Sequence, residues 1–400
     1  AIGNVSLDAN TTGSSNTAVG TGALGANTTG SSNTAVGYGA LVTTTTAVAL
    51  TAVGEYAAQA NTSGEGTTAL GYRSLYTNST GANNVGLGRQ AMYANTTGHS
   101  NVAVGAYSLD ANTTASNNTA VGYESLTTNT TGTANTGVGR TSLNANSTGD
   151  NNTSVGMGSL ESNTTADNNT AVGKDALQSN TTGASNTAIG QGVLDSCTTG
   201  AENTSIGKAS MEDITTGNYN VALGVESLRE ATSAEENVAI GYQALEYATG
   251  SNNSALGTKA GEDVTTGGNN FFIGRETGVS GSPGGSITTG NNEGVIGNQS
   301  VSKINMQVSV TVASDERDKT DFQPLTAGLA FVNGLTPYTF YWDKRANYVD
   351  WKADPDTDLN TITHDGTHKE DWMDLGFKAQ DVVALEEAIN HKLSNKTNLV

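Results

Sequence analysis

From Ala1 to about residue 297 the chain repeats one short pattern of polar, small and apolar positions. The pentapeptide Asn-Thr-Ala-Val-Gly, or a close variant, begins at Asn16, Asn33, Asn84, Asn101 and Asn118 and recurs through Asn237, with degenerate copies at Leu50 and Thr67. Neighbouring copies stand seventeen residues apart. The spacing changes only near the end: Asn253 comes one residue early, Asn270 follows, and the last copy starts at Glu293 after an insertion containing Pro283. Within each unit a Leu or Met falls eight residues after the Asn, as at Leu24, Leu109 and Leu126, and an Asn-Thr-Thr-Gly turn signature follows. A fixed period of this length marks a solenoid or fibrous array in which each unit adds one layer.

The units are rich in Thr, Asn, Gly and β-branched residues, and the recurring Gly breaks any helical apolar stripe. Each layer is therefore predicted to be one or two short strands joined by Gly and Asn turns. Its apolar content is one small residue of the Ala18 type, one β-branched residue of the Val19 type and one Leu of the Leu24 type. At about 1.5–3 kcal/mol per buried large apolar side chain, this scarcely offsets the ordering entropy of the layer. Stability is expected from stacking and from association with further chains. Stacked layers place Asn over Asn and Thr over Thr, so side-chain ladders satisfy their polar groups. About seventeen layers at the strand spacing of roughly 4.8 Å predict an array on the order of 80 Å long.

Composition sharpens this picture. The chain has 50 Gly, 4 Pro, 35% hydrophobic and 6% aromatic residues, so a thick side-chain core does not run its whole length. A net charge of −20 argues against nucleic acid as a partner, because a phosphate backbone needs a basic surface. Cys197 is the single cysteine, which excludes an intramolecular disulfide framework and any multi-cysteine metal site. There is no apolar run of about 18 residues, so no membrane insertion is expected. No cofactor is expected either. The opening Ala1-Ile2-Gly3 lacks Met and matches Ala18 to Gly20, which reads as a fragment beginning inside a repeat.

Three features tempt a site assignment. Asp354 to Asn360 alternates carboxylates like the start of a calcium loop but lacks the Gly and the final Glu, so a solvated acidic loop is the expectation. His364 and His368 have a metal-pair spacing only on a helix, which Gly366 opposes, and no metal site is expected. Tyr38, Tyr72, Tyr123 and Tyr242 recur after the motif Gly. They form either a row that stacks on sugar rings or, the favoured reading, packing against the neighbouring layer.

The repeat resembles the head repeats of trimeric adhesins of the YadA type, left-handed β-rolls that associate in threes, over about residues 1–297. It is also similar to segments of phage tail fibres, and a triple β-helix as in fibre shafts is the second arrangement the period allows. The fold expected is an all-β solenoid with a seventeen-residue period, as an intertwined or side-by-side homotrimer, followed by a small α+β domain.

Composition changes near residue 300. All three Trp, four of six Phe and three of four Pro lie beyond it. Residues 298–313, with the alternating Val308 to Val312, read as a connector strand, and 314–400 as a compact domain. Three ordered motifs follow: Ser314-Asp315-Glu316-Arg317-Asp318-Lys319, then Leu335 to Trp342, then Gly376 to Val382. In order and spacing they resemble the self-cleaving intramolecular chaperone of endosialidases and phage tail fibres. The resemblance implies a domain that trimerises the fibre and then cuts itself off, with Ser314 as nucleophile, Lys319 as base and Ala313–Ser314 as the scissile bond. Arg317 would supply a cation or hold the loop, and Asp315 would orient a partner. Compared with that family, the domain is expected to be incomplete at Val400.

These readings combine into a virion fibre whose only covalent chemistry is one Ser-Lys autoproteolysis. Its expected partners are itself, other virion proteins and a host surface glycan or protein receptor. A trimeric cell-surface adhesin, or the non-catalytic stalk of a glycan-degrading tailspike, are the alternatives.

Overall fold

The computed structural model describes residues 1–304 and, beyond them, 328–341, 343, 348, 361–363, 365–369, 373–378, 381, 382, 384 and 385. The chain divides into two units, Ala1–Asn298 and Gln299–Val400. The first is a β-solenoid. Seventeen three-residue strands, from β1 (Thr17–Val19) to β17 (Gly294–Ile296), pair in parallel, each with its successor. Thr17 lies beside Thr34, Ala18 beside Ala35 and Val19 beside Val36, and this register holds along the array. Each strand thus pairs with its counterpart one repeat on in the same chain. A triple β-helix would take that neighbour from another chain, so the single-chain coil is the arrangement realised.

Only three residues per turn are strand, yet the backbone is bonded from coil to coil nearly all the way round. Within one turn Thr17 N donates to Asn33 O, Leu24 N to Ala40 O, Ala26 N to Val42 O and Thr28 N to Thr45 O, while Gly20 N and Ser32 N donate to Ile2 O and Ser14 O of the turn before. This coil-to-coil bonding answers the requirement that backbone donors and acceptors removed from water find partners. It also forces unusual dihedrals. Leu24, Leu41, Leu109 and Leu126 all sit near φ 52°, in the left-handed region. An L-residue there costs roughly 1–2 kcal/mol, a strain that persists where surrounding bonds over-determine the backbone.

The interior is thin. The middle strand residue, Ala18, Ala35 or Ala52, points inward with the Leu of each turn, and all are fully buried. The outer strand residues, Thr and Val, face away from the core. Asn, with a column of Ser such as Ser125 and Ser142, fills most of the remaining interior. In the motif column Asn33 Nδ2 donates to Ala47 O, and its backbone N–H donates to Asn16 Oδ1 of the previous turn. A second column, at Asn78, Asn95, Asn112 and Asn129, links Nδ2 to the preceding Oδ1 at 2.7–3.1 Å. Thr hydroxyls such as Thr96 and Thr113 donate to the next turn's carbonyl at 2.9 and 3.1 Å. The expected ladders are present.

The second Asn column breaks at Thr44 and again from Cys197 onward, where Ile214, Ala231, Ala248 and Val264 take over as buried apolar residues. Its unsatisfied atoms mark those breaks. Asn27 Oδ1 and Asn180 Oδ1, each facing a turn with no side-chain amide, are buried without hydrogen-bond partners. Cys197 is buried, donates to Gly200 O at 3.5 Å, and burial pushes its thiol up to about 11.

The motif Gly, such as Gly122 at φ 141°, lies where a Cβ would overlap the Gly139 carbonyl oxygen. Every turn keeps Gly there. The Gly that closes the Asn-Thr-Thr-Gly corner would also crowd the next carbonyl, yet Ala47, Ala115, Ala166 and Ala234 occupy that position in other turns and are buried. Gly122→Ala is therefore expected to cost at least about 2 kcal/mol, and Gly132→Ala less than about 1 kcal/mol. Urea unfolding of the two variants checks this; equal losses would show that the two glycines are constrained alike. Thr44→Asn should gain about 1 kcal/mol by giving Asn27 Oδ1 a donor and Asn61 Nδ2 an acceptor. A lower urea midpoint for that variant would count against the ladder argument.

Candidate functional site

In the second unit, helix α1 (Gly328–Gly334) is followed by β18 (Pro337–Phe340), which pairs antiparallel with β19 (Asp374–Phe377). Pro337 lies opposite Phe377 and Phe340 opposite Asp374. The second and third sequence motifs, more than thirty residues apart in the chain, are thereby brought side by side. Tyr338 of one donates its hydroxyl to Asp381 Oδ2 of the other at 2.8 Å, and Lys378 Nζ stands 4.1 Å from the Tyr338 ring centre. The Asp381 carboxylate raises the pKa of Tyr338 above the ordinary phenol value. A Cβ at Gly334 would lie 2.6 Å from Leu385 Cδ1, so the Leu385 side chain packs directly against this glycine.

Ala313, Ser314, Asp315, Arg317 and Lys319 lie outside the described residues, as do Asp354 to Asn360 and His364. His368 is exposed, with its ring edge-on to Tyr348 at 4.6 Å. The neighbouring Asp365 accepts both the backbone N–H and the hydroxyl of Thr367, which lowers its pKa. That is a turn device rather than a ligand set. Among the described residues no three His, Cys, Asp or Glu are arranged to hold a metal ion, and no helix is long and apolar enough to cross a membrane.

With the pairing of the two motifs established, comparison with known proteins bears on this unit. The family model described as chaperone of endosialidase matches residues 314–390. The match takes in all three motifs. No curated protein and no solved structure matches the chain. A β-solenoid followed by a segment that this family model matches fits a fibre-like protein.

The solenoid surface carries two further features on one face. In its early turns tyrosines pack against one another: Tyr38 on Tyr56 at 5.1 Å edge-on, Tyr123 on Tyr107 at 6.1 Å edge-on, and Tyr76 stacked on Tyr93 at 5.1 Å. Arg73 lies 5.1–5.7 Å from the Tyr56, Tyr72 and Tyr76 ring centres. Tyr38 and Tyr123 thus each touch a ring of the neighbouring layer yet stay 53% and 47% exposed, much as Tyr242 does at 45%. Chain composition alone did not reveal the Arg73 hub; the adjacency Tyr72-Arg73 and the seventeen-residue offset to Tyr56 were the available signal.

In the later turns the same face is acidic. Asp195, Glu212, Arg229, Glu246 and Glu262 follow one another in successive turns. Arg229 meets Glu246 Oε1 at 2.8 Å, but Glu246 Oε2 and Asp195 Oδ1 are buried without hydrogen-bond partners. Burial raises the pKa of Asp195, Glu212 and Glu246, with Asp175 adding to the effect at Asp195 and Asp213 at Glu212. Between the ordinary carboxylate value of about 4 and these raised values the folded chain holds more protons than the unfolded one. Stability therefore falls as pH rises through that window, and acidification from neutrality should raise the melting temperature. Melting curves between about pH 7.5 and about pH 5 test this, with Asp195→Asn expected to flatten the dependence. An unchanged slope in Asp195→Asn would remove that group from the account.

Proposed function

We propose that the chain is part of a homotrimeric virion fibre, of the tail- or head-fibre type, that holds a host-contacting region away from the particle. The observation that carries the reading is the succession of a solenoid whose strands keep one register along its whole length and a segment, 314–390, matching the endosialidase chaperone. A coil bonded to itself at many points per turn is a stiff spacer. It offers no constellation of acid, base and nucleophile for turnover of a substrate. Other virion proteins and a host surface glycan or protein are the partners such a spacer serves, outside the cell.

The C-terminal unit sets trimer registration and then releases itself. Ser314 Oγ, deprotonated by Lys319, attacks the carbonyl carbon of Ala313. The Ala313–Ser314 C–N bond breaks as its nitrogen takes the proton, and water hydrolyses the resulting ester to a carboxylate and the free Ser314 hydroxyl. A Ser hydroxyl is a weak nucleophile, so Lys319 must be partly neutral; in this reading Arg317, two residues away in sequence, either supplies a cation that favours the neutral amine or holds the loop. Asp315 orients the site.

Intact mass under denaturing conditions, for residues 1–400 and for Ser314→Ala, tests the chemistry. The wild type should split between Ala313 and Ser314 and the variant should stay whole. Light scattering tests the assembly, with three chain masses expected. A monomer would overturn the trimeric fibre, and a break that survives Ser314→Ala would overturn the assigned nucleophile.

A further inference from the structure

The strands leave one face unaccounted for. Their third residue is aliphatic in every one of the seventeen turns, from Val19 to Ile296, and points away from the core. Leu256 is 53% and Ile273 45% exposed. Neither outward strand position carries a charged residue in any turn. Near the C-terminal end the first-position residues Val238, Ser254 and Phe271, with Ile240, Leu256 and Ile273, line a largely apolar depression of about 250 Å³. The aliphatic column runs without interruption along the array, and a monomeric surface rarely carries one of this length.

The two borders of the band differ in charge. Two residues after the aliphatic position the exposed column contains Arg89, Arg140, Lys174, Lys208 and Arg275 against a single acid, Glu55. Asp175 and Glu276 pair with Lys174 and Arg275, at 2.8 and 2.6 Å, and temper that border without reversing it. On the other side, in the two residues before the motif Asn, stand Glu65, Asp150, Asp167, Glu202, Glu235 and Glu236, with no Lys or Arg. Asp150 and Asp167 are held in place there, accepting the backbone N–H of Thr133 and of Asp150 at 2.6 and 2.7 Å.

We propose that this outward aliphatic face is where copies of the chain pack against one another, side by side, parallel and in register. The inference rests on the fibre reading above and names its interface. Together with the flanking first-position column, mostly Thr, the strip is about 80 Å long and about 10 Å wide and offers on the order of 800 Å² per copy, the size of a stable protein interface. A partner covering it must match its length, and a second copy does so by construction. Charge fixes the direction. When parallel copies surround an axis, the basic border of one meets the acidic border of the next; antiparallel copies would set like borders together.

Cysteine cross-linking of the full chain tests the proposal. Val36→Cys and Ile273→Cys lie near opposite ends of the band, Val155→Cys near its middle and Thr182→Cys on an exposed corner away from it. Wild type, with only buried Cys197, gives the background under copper-phenanthroline oxidation. Parallel packing in register predicts chain-to-chain disulfides at Val36→Cys, Val155→Cys and Ile273→Cys alike and background at Thr182→Cys. Linking at Val155→Cys alone would overturn the parallel arrangement. Background levels at all three, with light scattering still showing an assembled chain, would overturn the interface and leave the trimeric fibre standing. A monomer by light scattering would overturn both.

Discussion

Everything in the solenoid follows from one constraint: each turn must lay its backbone over an equivalent backbone in the next. With strands only three residues long, the ladder cannot rest on a sheet alone, so corners and connecting arcs are bonded from coil to coil as well. The constant period is the consequence, because one residue more or fewer within a bonded arc misaligns that arc with the turns on either side. The two departures show where slack exists. The shortened turn before Asn253 loses its residue at the Thr249-Gly250 corner, and the insertion after Gly278 is pinched off by Ile287 N donating to Gly278 O. In both places the strands resume register, Ser254 beside Val238 and Gly294 beside Phe271.

The same stacking explains how so little hydrophobic residue content sustains a fold. Ala and Leu supply a narrow apolar core, and most of the remaining interior is Asn amide and Ser hydroxyl. A buried Asn normally imposes a desolvation penalty, but in a ladder each Oδ1 has a donor in the neighbouring turn and each Nδ2 a carbonyl in its own. The orphaned Oδ1 atoms of Asn27 and Asn180 sit where that neighbour is missing, which locates the weak points of the array. Glycine completes the arrangement: at the motif position a side chain has no space, while at the corner position Ala substitutes freely.

Much of this was legible from the pattern of residues. The period, the small-residue and Leu positions in the core and the Asn and Thr ladders follow from repetition, since identical units stacked in register must place like over like. Two things did not follow. The left-handed backbone at Leu24 and its equivalents has no local signal, because Leu does not favour that region and only the coil-to-coil bonds hold it there. The direction of the strand face was also hidden: alternation separates Ala18 from Val19, but ordinary expectation turns the larger aliphatic residue inward. Here the motif Asn and the middle Ala share the interior, and the Val is left outside. For the C-terminal unit, the motifs announced a relationship to the endosialidase chaperone, whereas the pairing of Pro337–Phe340 with Asp374–Phe377 required the structure.

Near-identity of the turns has a further consequence for any assembly of such chains. Sliding one copy along another by a single turn sets Val against Val and Gly against Gly again, so the aliphatic band alone discriminates poorly between registers. Discrimination has to come from what does not repeat. Within the solenoid these are the Tyr and Arg73 cluster of the early turns, the acidic run from Asp195 to Glu262, the Phe271-Phe272 pair and the insertion around Pro283. Each differs from turn to turn, yet each occupies only a few turns and contributes little against a long uniform contact. A separate, non-periodic unit would resolve the degeneracy more economically, because copies joined through it would begin stacking from a common origin. That is a physical reason for a periodic shaft to be followed by a segment of the chaperone type.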